Sequence, residues 1–271
     1  MNNKKIFTFW EPKGDMPAYL KLCMQTWKKF LHDFEIITLD YSSVDDWLGK
    51  NFFDETLYTD YNLSKQADAI RCALLEKYGG IWFDCDVIIT SSDFKRFLDI
   101  NSECIMFSSH IGVIIARKHS KVMQYWLNGI KNNLLLHKIC KNETVKEKLR
   151  AREELFVERI NSWDYMGNSI LDRILPILDK EDFYSLDKYK YNFIPEENYL
   201  IEQNMPLTPD IRRKTYSNFY FKDNQADYVI NKDASIIYLH NSWTPEKYKL
   251  MSEDEFLSEN NTLSNLFKRL L

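Results

Sequence analysis

The stretch Ser64-Lys-Gln-Ala-Asp68-Ala-Ile-Arg71-Cys-Ala-Leu-Leu-Glu-Lys-Tyr-Gly79-Gly80-Ile-Trp-Phe-Asp84-Cys-Asp86 encodes a helix, a reversal and a strand in succession. Ser64 is a residue type that caps helices, and Ala67, Ile70, Leu74 and Tyr78 form one apolar stripe behind it. Gly79 and Gly80 end the helix, because glycine accepts the left-handed conformation that a sharp exit requires. Ile81-Trp-Phe then reads as a short buried strand that delivers Asp84 and Asp86 at its end, with Val87 to Thr90 continuing extended.

Upstream, Lys5 to Trp10 has strand composition and is cut off by Glu-Pro-Lys-Gly-Asp. Pro17 opens a helix through Phe30 with Leu20, Met24 and Trp27 at helical spacing, and Glu35 to Leu39 is a second strand. An irregular aromatic and acidic stretch separates this strand from the helix at Ser64. Strand, helix, strand is the opening of a nucleotide-binding α/β fold. Downstream, Cys104 to Ser108 and Gly112 to Ala116 are strands, and Ser120 to about His137 is a helix with Val122, Tyr125, Trp126 and Ile130 on one side. Lys141 to Arg159 is densely charged and reads either as a solvated helix or as a lid over a second substrate. Ser169 to Leu178 is helical up to Pro176, Tyr191 to Pro195 is extended, and Ser235 to Leu239 is a strand ending in His240-Asn-Ser-Trp243. The tail repeats Leu263, Leu266, Phe267 and Leu270 at helical spacing. That stripe suits either a terminal helix packed on its own core or a peripheral membrane foot, with Lys268 and Arg269 beside it.

Composition narrows the class. With 271 residues, 45% hydrophobic, 15% aromatic and 28% charged, the chain has the make-up of one ordinary globular α/β domain. A net charge of −4 leaves no basic footprint for nucleic acid. No apolar stretch approaches membrane-spanning length and no signal-peptide run is present, so a cytoplasmic location is the default. The five cysteines, Cys23, Cys72, Cys85, Cys104 and Cys140, form no CxxC pair and read as reduced core thiols. The five histidines show no HExxH pattern, so any metal must rely mainly on carboxylates.

Side chains two apart on an extended segment point the same way, so Asp84 and Asp86 can converge on one divalent ion at a strand's open end while Cys85 points into the fold. Mg²⁺ and Mn²⁺ prefer oxygen ligands and commonly complete their shells with substrate phosphates, for which two carboxylates leave room. Without a cation, two such carboxylates repel each other and resist desolvation. Asp68 and Arg71, three apart on the preceding helix, share a face. They read as an intrahelical ion pair, or as a hydroxyl acceptor and a cation beside a sugar phosphate.

The Asp68-to-Arg71, Tyr78-Gly79-Gly80 and Asp84-to-Asp86 signatures resemble those of glycosyltransferases with a DxD-containing sugar-binding region. That group includes glycosyltransferase family 32, the bacterial capsular polysaccharide synthesis proteins and, more distantly, the clostridial glucosylating toxins. Phe9-Trp10-Glu11, Met16-Pro17 and Cys23-Met-Gln-Thr-Trp27 are most similar to the capsular branch. The resemblance implies a GT-A fold, a Rossmann-like open mixed sheet flanked by helices, spanning residues 1–271 as a single domain. Residues 1–110 would form the nucleotide-sugar half, and residues 111–271 the acceptor half with a C-terminal closing loop and helix. It implies a nucleotide-sugar donor, often UDP-linked, Mn²⁺ or Mg²⁺, and hexosyl transfer with retention to a glycan or lipid-linked oligosaccharide at the inner membrane face.

Carried onto this sequence, the resemblance makes Asp84 and Asp86 catalytic metal ligands joined by His240, and puts Asp68 and Arg71 against the donor sugar. Trp10 takes the place of a base-stacking tryptophan or remains a core aromatic, and Ser242 and Trp243 take the loop that closes on the diphosphate. The alternative reading of His240 is a strand cap. Retention needs a carboxylate nucleophile, for which Asp164 and then Asp172 are the candidates, or front-face attack assisted by the leaving phosphate. The competing readings are a protein-modifying glycosyltransferase, a Mg²⁺-dependent phosphohydrolase and a non-catalytic sugar-nucleotide binding module. The hydrolase reading is weakened by Ile88, where a DxDxT signature has no counterpart, and the binding module has no need of paired aspartates.

Overall fold

Apolar side chains fill both faces of the central strands, so their sequence runs are continuous rather than alternating. The computed structural model describes residues 4–151, 162–232 and 234–271. Its strands are β1 (Lys5–Phe9), β2 (Glu35–Leu39), β3 (Gly80–Phe83), β4 (Val87–Ile89), β5 (Cys104–Phe107), β6 (His110–Ala116), β7 (Phe183–Leu186) and β8 (Ile236–Tyr238). Six form one sheet in the order β2-β1-β3-β6-β5-β7, and β4 pairs with β8 in a separate two-stranded ribbon. Only β6 runs against the others in the large sheet. Phe7, Trp82, Met106 and Ile114 belong to the core on one face, and Ile6, Ile81, Ile105 and Ile115 to the core on the other. An open mixed sheet flanked by helices is the architecture expected from the sequence.

The helices follow from the same burial. α1 (Ala18–Phe30) lies on the β4 ribbon, where Trp27 Nε1 donates to the Val87 carbonyl at 2.7 Å and Thr26 Oγ1 accepts from Ile89 N at 3.0 Å. α2 (Tyr41–Leu48) and α3 (Thr56–Asp60) occupy the stretch that showed no clear period, and α2 starts on a reciprocal cap between Asp40 and Ser43. α4 (Leu63–Tyr78) packs against α5 (Lys121–Cys140). The cap of α4 is Asn62, not Ser64: Asn62 is extended and its side chain accepts from Lys65 N at 3.2 Å, which leaves Ser64 inside the first turn. Gly79 (φ +66°) and Gly80 (φ +110°) make the expected reversal. A Cβ on Gly79 would lie 2.5 Å from Lys118 N, and one on Gly80 2.8 Å from the Lys5 carbonyl oxygen.

The charged segment begins as α6 (Glu143–Ala151), which fits the solvated-helix reading, while residues 152–159 of it lie outside the described residues. α7 (Asn168–Ile174) continues into a 3-10 turn as expected. Tyr191 to Pro195 is not extended throughout. Asn192 turns the chain at φ +49°, and Pro195, whose missing N–H costs nothing at a first helical position, opens α8 (Pro195–Glu202). α9 (Pro209–Phe221), α10 (Ala226–Asn231), α11 (Glu246–Lys249), α12 (Glu253–Ser258) and α13 (Thr262–Leu270) complete the chain. Leu263, Leu266 and Phe267 in α13 are fully buried in a core shared with α1, α9 and α12. The stripe read as a membrane foot is thus covered by the protein's own core. Among the described residues no helix is long and apolar enough to cross a membrane. All five cysteines are buried and free.

Replacing Phe267 with alanine empties a site inside this core and is expected to cost about 3–5 kcal/mol of stability, read from urea denaturation. A change below about 1 kcal/mol would mean that α13 packs elsewhere in solution.

Candidate active site

Three parallel strands, β1, β2 and β3, end at the same edge of the sheet, and chain ends of this kind leave a crevice beyond their carboxyl termini. The β4–β8 ribbon and the loop after it close one side of the crevice, and α4 closes another. The resulting cavity, about 310 Å³, is lined by Trp10 from the end of β1 and by Ser64, Ala67 and Arg71 from α4. Asp84, Asp86, Tyr238, His240 and Ser242 complete the polar wall.

Asp84 and Asp86 meet there by a turn between β3 and β4 rather than on one extended strand. Val87 N donates to the Asp84 carbonyl at 3.1 Å, and Asp84 N donates to the Gly112 carbonyl at 2.8 Å. Gly112 is required at that point, since a Cβ would lie 2.2 Å from the Tyr238 ring and 2.8 Å from Asp84 Oδ2. Cys85 is buried as expected, with Sγ 3.1 Å from Thr8 Oγ1.

The two carboxylates have different surroundings. Asp84 Oδ1 accepts from Trp82 Nε1 at 2.8 Å and pairs with Arg71 Nη2 at 3.1 Å, while Tyr238 OH donates to Oδ2 at 3.4 Å. Asp86 Oδ2 accepts from Asn241 N at 2.8 Å, but Oδ1 is buried without a hydrogen-bond partner. Burial, and then the neighbouring Asp84, hold the Asp86 carboxyl well above the usual carboxylate range. An orphaned buried acceptor beside a second carboxylate fits a hard cation that takes its remaining oxygens from a substrate.

Arg71 turns the expected Asp68–Arg71 pair into a bridge. Its Nη2 is 3.2 Å from Asp68 Oδ1 as well as 3.1 Å from Asp84, and Nη1 donates to the Ile111 carbonyl at 2.6 Å. The guanidinium also lies over the Trp82 ring, 5.1 Å from its centroid. Asp68 itself is buried, paired with Arg71, and is not among the residues that line the cavity. Burial, opposed by Arg71, pushes its carboxyl up to about 7.

The late residues divide. Ser242 is on the cavity wall, whereas Trp243 lies behind His240, with ring centroids 4.1 Å apart. His240 reaches the cavity, yet its Nε2 is 3.8 Å from Glu196. Among the described residues no group of three or more His, Cys, Asp or Glu side chains is placed to hold a metal ion. The expected Asp84, Asp86 and His240 set is therefore not assembled as three ligands, because the imidazole packs into an aromatic wall made by Tyr216, Tyr238 and Trp243. Asp164 lies on a loop off the cavity lining, with Ser162 Oγ donating to its carboxylate, and Asp172 is exposed on α7. Trp10 lines the cavity and keeps its Nε1 buried and unpartnered.

The residues missed from sequence are Trp82, Gly112, Glu196, Tyr238 and Asn241. Trp82 and Tyr238 were legible only as strand aromatics, and nothing local marks Gly112 or Glu196.

A family model described as capsular polysaccharide synthesis protein matches residues 1–155. No curated protein matches the chain. Among solved structures, the glycosyltransferase GlyE of Streptococcus pneumoniae TIGR4 is 14% identical, with a TM-score of 0.45, over 99% of this chain and 64% of that one. This chain thus spans less than two thirds of that enzyme's length. The UDP-bound glycosyltransferase domain of the YGT toxin is 10% identical, with a TM-score of 0.46, over 91% of this chain and 98% of its own. The galactosyltransferase LgtC, solved with donor and acceptor sugar analogues, is 12% identical, with a TM-score of 0.44, over 98% and 96%.

Asp68 and Asp86 both hold protons more tightly folded than unfolded. In the window from the ordinary carboxylate value of 3.8 up to about 7, the folded chain therefore binds protons that the unfolded chain has lost. Their contribution is fully present below the unfolded value and is lost as pH rises. The melting temperature of chelator-treated protein is expected to fall between roughly pH 4 and 8, and Asp86→Asn to make that fall shallower. An Asp86→Asn profile as steep as the parent's would contradict the burial of this carboxyl.

Proposed function

The chain belongs to the capsular polysaccharide synthesis protein family, and from that premise we propose that it is a metal-dependent glycosyltransferase using a nucleotide-sugar donor. The observation that carries this reading is the cavity at the ends of β1 and β3, lined by Trp10, Arg71, Asp84, Asp86 and Ser242, with Asp86 Oδ1 left buried and unpartnered at its wall. In this reading the base lies toward Trp10, whose ring borders the cavity, and the diphosphate lies against Asp84, Asp86 and Ser242. Asp84 and Asp86 would hold Mn²⁺ or Mg²⁺, which when bound neutralises charge on the departing diphosphate. Arg71 brings a fixed positive charge to the same wall, held by Asp68 and unable to lose its proton at working pH.

The finer parts of the proposal are a UDP-linked hexose as donor, a glycan or lipid-linked oligosaccharide as acceptor, and retention. With Asp164 off the cavity lining, front-face attack assisted by the leaving phosphate is the route that the residues favour. We also read residues 1–271 as one domain, the donor half ending near residue 110.

A panel of nucleotide-sugars, each incubated with and without Mn²⁺, tests the reading through release of the free nucleotide. Metal-dependent release with one donor is the expected result. Asp84→Asn is expected to lower that release by on the order of a hundredfold or more, several kcal/mol of charge stabilisation, with the fold retained. Nucleotide release that ignores metal, together with full activity of Asp84→Asn, would overturn the assignment.

A further inference from the structure

Glu196 is a carboxyl for which the donor site has so far no use. It is 1% exposed, and burying a carboxyl at that depth is unfavourable unless its oxygens are satisfied. Oε2 accepts from Tyr220 OH at 3.0 Å, but Oε1 has no hydrogen-bond partner among the described residues. The adjacent Glu197 is already engaged by Lys188 at 2.9 Å and by Arg212, so its charge is accounted for. Facing Glu196 Oε1 at 3.8 Å is His240 Nε2, itself buried and without a hydrogen-bond partner.

Both members of this pair are anchored. Glu196 stands in the first turn of α8 and is tied to α9 through Tyr220. The His240 ring is bounded by Trp243, Tyr238 and Tyr216, with centroids 4.1, 5.3 and 5.5 Å away. His240 N donates to Tyr216 OH at 3.2 Å, and the next residue's N–H is the one that holds Asp86. The imidazole therefore has a carboxyl behind one nitrogen and the cavity before the rest of its edge.

We propose that Glu196 is a positioning residue for His240, fixing the ring's orientation and its tautomer and so deciding which nitrogen is offered to the donor cavity. A carboxyl that engages one imidazole nitrogen determines whether the other is a donor or an acceptor. Burial disfavours the charged form of both groups, pushing Glu196 up to about 8 and His240 down to about 3, so two uncharged polar groups face each other rather than an ion pair. The effect on ligand binding rests on the donor-site reading given above, whereas the effect on the tautomer does not.

The test uses ¹⁵N-labelled whole chain and long-range ¹H–¹⁵N correlations of the His240 ring, assigned by their loss in His240→Gln. The parent and Glu196→Gln, whose amide can still donate or accept, are expected to show one tautomer. Glu196→Leu, which fills the space without a polar atom, is expected to show both. By titration calorimetry with UDP and Mn²⁺, Glu196→Leu is expected to bind about tenfold more weakly and Glu196→Gln nearly as the parent does. Should Glu196→Leu fail to fold, Glu196→Asp, which withdraws the carboxyl by one methylene, makes the same comparison. An unchanged single tautomer in the leucine or aspartate variant would overturn the proposal. A changed tautomer with unchanged UDP and Mn²⁺ affinity would uphold the positioning and overturn the reading of His240 as part of the donor site.

Discussion

A guanidinium buried between two carboxylates organises this molecule's cavity. Arg71 reaches Asp68 on its own helix, Asp84 at the end of β3 and the Ile111 carbonyl at the start of β6, while its flat face covers Trp82. A buried cation of this kind is tolerable only when its donors are met, and each partner comes from a different element. The bridge therefore holds α4, the β3 end and the β6 strand in one relation. It also explains why close approach is enforced nearby: Gly112 and Gly167 each sit where a Cβ would press within 2.8 Å of the Asp84 or Asp68 carboxylate.

The same bridge makes the two aspartates unequal. Asp84 is surrounded by Trp82, Arg71 and Tyr238, whereas Asp86 is held on one oxygen by a backbone N–H and left bare on the other. A site with one neutralised and one unsatisfied carboxylate presents less repulsion than two free charges would. This revises the simplest reading of a paired-aspartate motif, in which mutual repulsion alone calls for a cation. Arg71 supplies part of the counter-charge from within the chain itself.

Around that centre the C-terminal third of the chain serves as the back wall. The β4–β8 ribbon carries Tyr238 to Asp84 and brings the following loop to Asp86. α13, with its buried Leu263, Leu266 and Phe267, packs into the core on which that ribbon and α1 rest. An amphipathic tail that suits a membrane surface equally suits this groove, and burial settled which of the two it covers.

Helix α4, the glycine reversal, β3 and the aspartates beyond it were legible in the sequence because their determinants are local: stripe periodicity, positive-φ glycines and a short apolar run. The same holds for the α/β class and for the five buried thiols. Tertiary structure alone decided that Asp68 faces Arg71 rather than the cavity, that Asp164 stays off the wall, and that His240 packs against Trp243 with Glu196 behind it. Glu196 is separated from His240 by forty-four positions, and Tyr238 from Asp84 by 154, so neither contact leaves a spacing to read. Such pairs arise from how helices and the ribbon pack against the sheet, and burial, which sets both partners and protonation, exists only once that packing is complete.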